Sequence, residues 1–174
     1  MTAKQRIYLI GLPASGKTTI GRWLAERLGW EFYDIDEAVI SKSGMSIFRF
    51  FEENGEEEFR KLETELLRET KLFNNTVISC GGGTVAHSNN MDWVLNQGLT
   101  VYLNPEISEL SLRIAGNSTQ RPMFKGLHGE EITDKLMYLL EERAKFYHQS
   151  KIIWNKSTPN DFLYNAINQL VSSR

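Results

Sequence analysis

The sequence has few of the features that mark secreted, membrane-bound or nucleic-acid-binding proteins. Cys80 is its only cysteine, which excludes an internal disulfide and a cysteine-based zinc site. The three histidines, His87, His128 and His148, lack the spacing of metal ligands. The net charge is −2 and the pI is about 6.0, so no basic surface predicts binding to nucleic acid or to an anionic membrane.

Long apolar runs are also missing. The first run, residues 7–10, ends at Gly11, and it is too short for the apolar core of a signal peptide or for a membrane-spanning helix. No repeat, low-complexity tract or linker interrupts the 174 residues, of which 41% are apolar. These features predict one globular domain over residues 1–174, soluble and located in a reducing compartment such as the cytoplasm.

Short apolar runs alternate with segments of helical periodicity along the chain. The predicted strands lie near residues 6–10, 31–35, 76–80, 99–103 and 151–154. The predicted helices lie near residues 17–28, 37–43, 46–53, 57–73, 89–97, 106–115, 130–148 and 160–172. Gly29 is expected to end the first helix, and Pro105 and Pro159 to introduce later ones. This alternation predicts an α/β fold with a parallel sheet covered on both faces.

Two regions interrupt the alternation. About forty residues of predicted helix separate the second and third strands, enough for a helical segment, at about residues 34–62, over the sheet edge. Residues 116–129 contain three glycines, Pro122 and two basic residues. A long polar loop of this kind in a compact domain is commonly a lid, here at about residues 115–128. A disordered surface loop is the alternative.

Residues 11–18, Gly-Leu-Pro-Ala-Ser-Gly-Lys-Thr, match the phosphate-binding motif G-x-x-x-x-G-K-[ST] between a predicted strand and a predicted helix. Glycines let backbone N–H groups surround phosphates, and the helix directs the positive end of its dipole at the same anion. Lys17 supplies a charge for the β- and γ-phosphates, and the Thr18 hydroxyl is placed to bind Mg²⁺. The alternative is a glycine turn that happens to carry a lysine. The predicted nucleotide contacts in and after this loop are Gly11, Ala14, Ser15, Gly16, Lys17, Thr18 and Thr19.

Asp34 and Asp36 flank Ile35 at the end of the second predicted strand. Residues two apart in a strand share a face, so both carboxylates are predicted to project together at the sheet edge where ligands bind. One carboxylate could hold the hydration shell of Mg²⁺, and the other could accept the proton of an attacking hydroxyl. The alternative is a helix cap followed by a solvated charge.

Two arginines fall on predicted helices. Arg143 lies on the apolar stripe of the helix at 130–148 and therefore needs an anion, which could be a substrate or an internal carboxylate, unless its stem reaches solvent. Arg60 lies three residues before Glu63, and an ion pair between them is its simplest interpretation. A third arginine, Arg121, lies in the predicted lid, where it could neutralise a transferring phosphoryl group or simply be a solvated side chain.

Gly81, Gly82 and Gly83 follow the third predicted strand. Three consecutive glycines remove every Cβ from the edge at which a ligand approaches, and they expose backbone N–H groups to it. A tight structural turn is the alternative, but it rarely needs three glycines. The position favours a binding site.

Together these motifs resemble the shikimate kinases over nearly the whole chain. The likeness rests on the phosphate-binding loop running into residues 19–21, Asp34-Ile35-Asp36, Phe59-Arg60 with Glu63, residues 81–83, Arg121-Pro122, and Glu142-Arg143 with Tyr147. The resemblance implies a P-loop NTPase fold of the nucleoside monophosphate kinase type, doubly wound, with five parallel strands in the order 2-3-1-4-5. It also implies ATP-dependent phosphorylation of the 3-hydroxyl of shikimate in aromatic amino acid biosynthesis, with Mg²⁺.

The resemblance also implies roles for individual residues. Asp36 would be the base at the accepting hydroxyl, and Arg60 and Arg143 would clamp the shikimate carboxylate. The remaining substrate contacts would be Phe51, Phe59, Gly81, Gly82 and Gly83. Lys17 and Arg121 would hold the phosphates and act in catalysis, while Thr18 and Asp34 would hold Mg²⁺.

The chain departs from the family at one nucleotide contact. Many members have paired arginines ahead of the lid, the second of which packs on adenine, whereas this sequence has Arg113-Ile114. Adenine is then expected to contact Arg113 or the loop near Pro159, and both stay open. Cys80, where small or hydroxyl residues are usual, is interpreted as packing.

Two other functions compete with shikimate phosphorylation. A gluconate or nucleoside monophosphate kinase would share the phosphate-binding loop. A regulatory module that binds a nucleotide without catalysis would also retain the fold, although the intact Lys17, Thr18, Asp36 and Arg121 argue against it. Because no apolar surface stripe requires a partner, a monomer is expected.

Overall fold

A five-stranded parallel sheet organises the molecule. The computed structural model describes residues 5–116, 122–156 and 158–172. The strands are β1 (Arg6–Ile10), β2 (Glu31–Asp34), β3 (Thr76–Ser79), β4 (Leu99–Leu103) and β5 (Ile152–Trp154). Their order is β2-β3-β1-β4-β5, and every neighbouring pair is parallel. The α/β class and the strand order are confirmed.

Seven helices connect and cover these strands within the described residues. They are α1 (Lys17–Leu28), α2 (Ile35–Ser43), α3 (Ile47–Glu69), α4 (Asn90–Gln97), α5 (Ile107–Ala115), α6 (Glu130–Tyr147) and α7 (Asp161–Ser172). Short 3₁₀ turns lie at Thr70–Leu72, Thr84–Ala86 and Pro122–Phe124. None of the helices in these residues is both long enough and apolar enough to cross a membrane.

The helix boundaries differ from the predicted ones at a few positions. The helices predicted at 46–53 and 57–73 form one element, α3, which breaks at Gly55 (φ 81°, ψ 173°). Helix α5 begins two residues after Pro105, behind Glu106 at its N-cap, and α7 begins at Asp161, two residues after Pro159. The predicted helix starts, residues 106 and 160, were therefore one residue too early, and both prolines lie outside the helices.

Each face of the sheet carries its own apolar core. Along β1 the side chains alternate, so that Tyr8 and Ile10 pack with α4, α5 and α6, whereas Ile7 and Leu9 pack with α1 and α7. This arrangement is the doubly wound architecture that the alternating pattern predicts. Burial on both faces also explains why the central strands read as continuous apolar runs.

The helical segment predicted after β2 is present as α2 and the first part of α3. It has a small core of its own, built around Val39, Phe59 and Leu66. Strands β1, β2 and β3 are neighbours in the sheet. The phosphate-binding loop follows β1, Asp34 is the last residue of β2, and residues 80–83 follow β3. Parallel strands thus bring three of the predicted motifs to one edge.

Candidate active site

The phosphate-binding loop joins the end of β1 to the start of α1. Gly11 and Gly16 have positive φ values of 152° and 92°, and a Cβ on Gly11 would lie 2.5 Å from the carbonyl oxygen of Leu103. Glycine is therefore required at this turn. The Lys17 ammonium donates hydrogen bonds to the carbonyl oxygens of Gly11 and Leu12 at 3.0 and 2.9 Å. The loop holds Lys17 at the N-terminus of α1, where an anion is favoured.

Asp34 connects the phosphate-binding loop to the start of α2. Its Oδ2 accepts a hydrogen bond from the Thr18 hydroxyl at 2.8 Å. Its Oδ1 accepts from the backbone N–H groups of Asp36 and Glu37 at 3.0 and 3.3 Å, which makes Asp34 the N-cap of α2. Asp34 is therefore the predicted helix cap and at the same time a hydrogen-bond partner of Thr18.

Asp36 lies in the first turn of α2 and not in a strand. Strand β2 ends at Asp34, so the predicted reason for a shared direction, the alternation of strand side chains, was wrong. The helical turn nevertheless places Asp36 in the wall of the same cavity as Thr18. What brings them together is the cap at Asp34, which begins the helix within one residue of the strand.

Burial makes Asp36 an unusual carboxylate. Desolvation, followed by the nearby charges of Glu63 and Asp34, raises its pKa to about 7, and Lys17 and Arg60 oppose the shift. Asp36 and Glu63 also meet at Gly81, where a Cβ would lie 2.5 Å from Glu63 Oε1 and 2.8 Å from Asp36 Oδ1. A carboxyl group that changes protonation near neutral pH is suited to accept a proton.

Glu63 is a site residue that sequence reasoning noted only as a partner of Arg60. Its side chain is 1% exposed. Oε1 accepts from the Thr84 hydroxyl and Oε2 from Nη1 of Arg60 at 2.8 Å. The available signal was its place among Phe59, Leu66 and Leu67 on the buried face of α3, the same argument that singles out Arg143.

The two predicted clamp arginines meet at the glycine turn after β3. Arg143 is 6% exposed, and its Nη1 donates to the carbonyl oxygen of Gly82 at 2.8 Å. Tyr147 donates its hydroxyl to the same oxygen. A Cβ on Gly83 would lie 2.8 Å from both Nη1 and Nη2 of Arg60. The absence of a side chain at Gly83 is what allows the Arg60 guanidinium to approach the backbone.

The two arginines differ in their counter-ions. Arg60 pairs with Glu63 at 2.8 Å and with Glu56 at 3.2 Å, so the predicted ion pair with Glu63 is present. In the described part of the chain, no carboxylate oxygen lies within 4.0 Å of the Arg143 guanidinium. Within these residues, an internal salt bridge is therefore excluded as the reason for burying Arg143.

One cavity of about 770 Å³ joins these features. The lining residues that the sequence had already assigned to the site are Ala14, Gly16, Lys17, Thr18, Thr19, Asp36, Phe51, Phe59, Arg60, Gly82, Gly83, Arg113 and Arg143. Sequence reasoning did not assign to the site the other lining residues, which are Pro13, Ile47, Phe48, Glu52, Glu63, Ser79, Met123 and Phe124. The rings of Phe51 and Phe59 lie 4.5 Å apart and form an apolar wall. A cavity of this size accommodates ligands of nucleotide and metabolite dimensions.

Some predicted site residues lie away from the cavity wall. Gly11, Ser15, Asp34 and Gly81 are buried but are not among the lining residues. Pro159 is not among them either, although it lies within the described residues. Arg121 lies outside the residues that the structure describes.

Arg113 is the adenine candidate that reaches the cavity. Its Nη1 donates to the carbonyl oxygen of Ala14 in the phosphate-binding loop at 3.0 Å, and its Nη2 pairs with Glu109 at 2.9 Å. Ile114, in contrast, is fully buried in the core. Of the two predictions for the adenine contact, the geometry favours Arg113.

The donor groups of the site fit a magnesium ion better than a metal held by protein alone. The described residues contain no cluster of three or more His, Cys, Asp and Glu side chains that could hold a metal. A hydroxyl from Thr18 and a carboxylate oxygen from Asp34 lie side by side at 2.8 Å. Magnesium is typically held by one or two such protein oxygens together with substrate phosphates and water.

Comparison with known proteins identifies the family. The family model for shikimate kinase matches residues 13–171. A shikimate kinase of Bacteroides thetaiotaomicron is 38% identical over 158 residues, which cover 90% of this chain and 89% of the relative. The shikimate kinase of Aquifex aeolicus is 40% identical over 147 residues, 84% of each chain.

Solved structures agree with these matches. The crystal structure of the B. thetaiotaomicron shikimate kinase has a TM-score of 0.88 at 34% identity and covers 98% of this chain and 99% of its own. A shikimate kinase of Acinetobacter baumannii in complex with shikimate has a TM-score of 0.86 at 33% identity, covering 98% and 94%. A gluconokinase of Sinorhizobium meliloti is 14% identical with a TM-score of 0.60, a likeness of fold alone. The chain belongs to the shikimate kinase family.

Proposed function

We propose that this protein transfers the γ-phosphoryl group of ATP to the 3-hydroxyl of shikimate, giving shikimate 3-phosphate for the synthesis of chorismate and aromatic amino acids. The observation that carries the proposal is the cavity of about 770 Å³. It is lined by Lys17 of the phosphate-binding loop, by Asp36 and by the arginines at the glycine turn. Donor, base and anion-binding groups therefore surround one space.

The donor side binds and orients the nucleotide. Backbone N–H groups of the phosphate-binding loop, the N-terminus of α1 and Lys17 surround the β- and γ-phosphates, and Arg113 packs against adenine. Arg121 is proposed to contact the transferring phosphoryl group. Phosphoryl transfer needs little covalent work from the protein, so catalysis rests on positioning and on neutralising charge.

Thr18 and Asp34 are proposed to hold Mg²⁺ with the bound nucleotide, because their side-chain oxygens are adjacent and suit this ion. When bound, the ion supplies charge neutralisation for the phosphate oxygens. Asp34 has a second duty in the same place, since its other oxygen caps α2 and so fixes the helix that carries Asp36.

The acceptor side binds the carboxylate of shikimate and positions its hydroxyl. Arg143 is proposed to form the principal pair with the carboxylate, because it is buried and has no carboxylate partner in the described residues. Arg60 completes the clamp, and Phe51 and Phe59 cover the ring. Asp36 accepts the proton of the 3-hydroxyl, for which a pKa of about 7 is well placed at physiological pH.

The Arg143→Ala variant tests the acceptor assignment by calorimetry. Loss of the buried guanidinium should abolish measurable shikimate binding, while the affinity for a non-hydrolysable ATP analogue stays within about two-fold, since Lys17 and the loop are untouched. Arg49→Ala, which removes an exposed arginine of α3 paired with Glu53, is the control and should change neither affinity. Unchanged shikimate affinity in the Arg143 variant would contradict the clamp.

An ADP-release assay with shikimate, gluconate and nucleoside monophosphates tests the reaction itself. Turnover with shikimate alone is expected. Preference for another acceptor, or no turnover with any of them, would refute the proposed function. We further propose that the enzyme works as a cytoplasmic monomer, which predicts a solution mass of 20.0 kDa.

A further inference from the structure

The guanidinium of Arg60 lies between two carboxylates of different character. Its Nη1 donates to Oε2 of Glu63 at 2.8 Å. Its Nε and Nη2 both donate to Oε1 of Glu56, at 3.3 and 3.2 Å. The Glu63 side chain is 1% exposed, whereas that of Glu56 is 62% exposed. Arg60 itself lines the cavity and is 12% exposed.

Glu63 is the more firmly held of the two partners of Arg60. It is buried, it bonds at the shorter distance, and its other oxygen is fixed by Thr84. Charge-assisted bonds in such surroundings are strong. The contacts of Glu56 are longer and face solvent, and exposed pairs four residues apart contribute little to stability. Glu56 therefore affects Arg60 in some way other than by fixing its position.

Glu56 covers one edge of the Arg60 guanidinium, the edge formed by Nε and Nη2. Nε and Nη2 form the fork to which a carboxylate binds with two parallel hydrogen bonds. A single oxygen of Glu56 now accepts from both atoms. An incoming carboxylate at this edge must displace that oxygen or share Arg60 with a second negative charge. Glu56 follows the break in α3 at Gly55, so its exposed side chain can move without disturbing a packed turn.

We propose that Glu56 is an internal counter-ion that occupies the edge of Arg60 used by the carboxylate of the acceptor, and that it thereby weakens the binding of acceptor acids. The inference rests on the proposed function, because it assumes that the acceptor is a carboxylic acid held by Arg60 and Arg143. Glu56 returns to Arg60 when the acid leaves, so Arg60 always has a counter-ion at this edge. Acids that also reach Arg143 are favoured, because that arginine has no carboxylate to displace in the described residues.

The Glu56→Gln variant tests the proposal by titration calorimetry with shikimate. Glutamine keeps the shape and a hydrogen-bond acceptor but removes the charge, so the dissociation constant should fall about two- to five-fold, the range set by exposed ion pairs. The methyl ester of shikimate lacks the competing charge and should gain no affinity. The control is Glu57→Gln, the same change one residue along, where the side chain is 84% exposed and pairs with Lys61. It should alter neither constant.

Each outcome decides the matter. Weaker or unchanged shikimate binding in Glu56→Gln would overturn the inference, because a residue that merely positions Arg60 loses affinity when it is changed. A gain shared by the methyl ester or by Glu57→Gln would also overturn it, since the effect would then be one of general charge. Wild-type protein that neither binds nor phosphorylates shikimate would overturn the proposed function itself, and the inference with it. If the wild-type protein both binds and phosphorylates shikimate, the result for Glu56→Gln tests the role of Glu56 separately from the proposed function.

Discussion

At the scale of single residues, the protonation of Asp36 is proposed to govern when the site can work. Its pKa is raised to about 7 because the carboxyl group is buried and lies near Glu63 and Asp34. A proposed base acts only in its ionised form. The same neighbours that raise the pKa therefore hold this group at the point where a small change in pH alters its charge.

The pH dependence of kcat/KM for shikimate should reveal this group. Because kcat/KM reports ionisation of the free enzyme, it should rise as the pH increases through about 7 and then level off. Asp36→Asn should lower kcat by about 10²- to 10⁴-fold and remove the rise. The control is Asp134→Asn, an exposed aspartate of α6, which should keep the wild-type profile. A wild-type profile that stays level across neutral pH would contradict the role of Asp36.

Residue-scale prediction from the sequence succeeded where a side chain belongs to a motif with fixed chemistry. Lys17 and Thr18 follow from the phosphate-binding loop, and both line the cavity. The contact of Glu56 was out of reach, because an acidic residue three or four positions from an arginine is common on any solvated helix. Helical periodicity could have marked Glu63 as buried, but its hydrogen bond to Thr84 is visible only in the packed structure.

At the scale of elements, the break in α3 shapes the acceptor wall. Gly55 has φ 81° and ψ 173°, a region of backbone space that is essentially restricted to glycine. It separates the turn that carries Phe51 from the turn that carries Phe59 and Arg60, and the two rings lie 4.5 Å apart across it. The sequence predicted two separate helices here, since it could not show that they remain joined.

Gly55→Ala should therefore impair the acceptor side in particular. A strained alanine costs about 1–3 kcal/mol or forces the helix to rearrange, so stability should fall and the KM for shikimate should rise, with the KM for ATP unchanged. Gly29→Ala, at the left-handed end of α1 (φ 66°), is the matched control and should lose stability without affecting either KM. An unchanged shikimate KM in the Gly55 variant would show that the break does not shape the pocket.

The turn after β3 makes a second prediction at this scale. In Gly81→Ala, the added Cβ would lie within 2.9 Å of Glu63, Asp36 and Thr84, of which Glu63 and Thr84 are buried and hydrogen-bonded to each other. Overpacking of this kind should reduce the free energy of unfolding by about 1–3 kcal/mol, measured by urea denaturation. For Gly116→Ala the nearest atom is 3.7 Å away, and its stability should match that of the wild type. Equal stability of both variants would contradict the tight packing at Gly81.

At the scale of the whole molecule, the fold follows from the sequence because its signals are regular. Short apolar runs buried on both faces alternate with helices, and parallel strands joined by right-handed crossovers leave few arrangements. The strand order was an implication of the family resemblance and is confirmed. The orientation of the Asp36 side chain was harder to predict, because it depends on where β2 ends. That end is influenced by a tertiary contact, the hydrogen bond from Thr18 to Asp34.

Ligand binding should stabilise the molecule as a unit. Because the phosphate-binding loop joins the central strand to a core helix, MgADP at about 100 times its dissociation constant should add about 2.7 kcal/mol. For a domain of this size, that corresponds to a rise in Tm of about 5–10 °C. Mg²⁺ alone should give no comparable shift, and Lys17→Ala should lose most of the effect. A thermal scan in which the Lys17 variant responds as strongly as the wild type would contradict the assignment of the loop.

The glycine turn at residues 81–83 also lies between the two halves of the proposed site. A Cβ on Gly82 would lie 3.0 Å from the Pro13 ring in the phosphate-binding loop, while its carbonyl oxygen holds Arg143 and Tyr147. One residue of backbone therefore lies between the phosphate-binding loop on one side and Arg143 on the other. It acts as a spacer whose length is fixed by covalent geometry. Attempts to redirect the enzyme to larger or smaller acceptors should for this reason alter α3, where the wall consists of side chains, and leave the spacer intact.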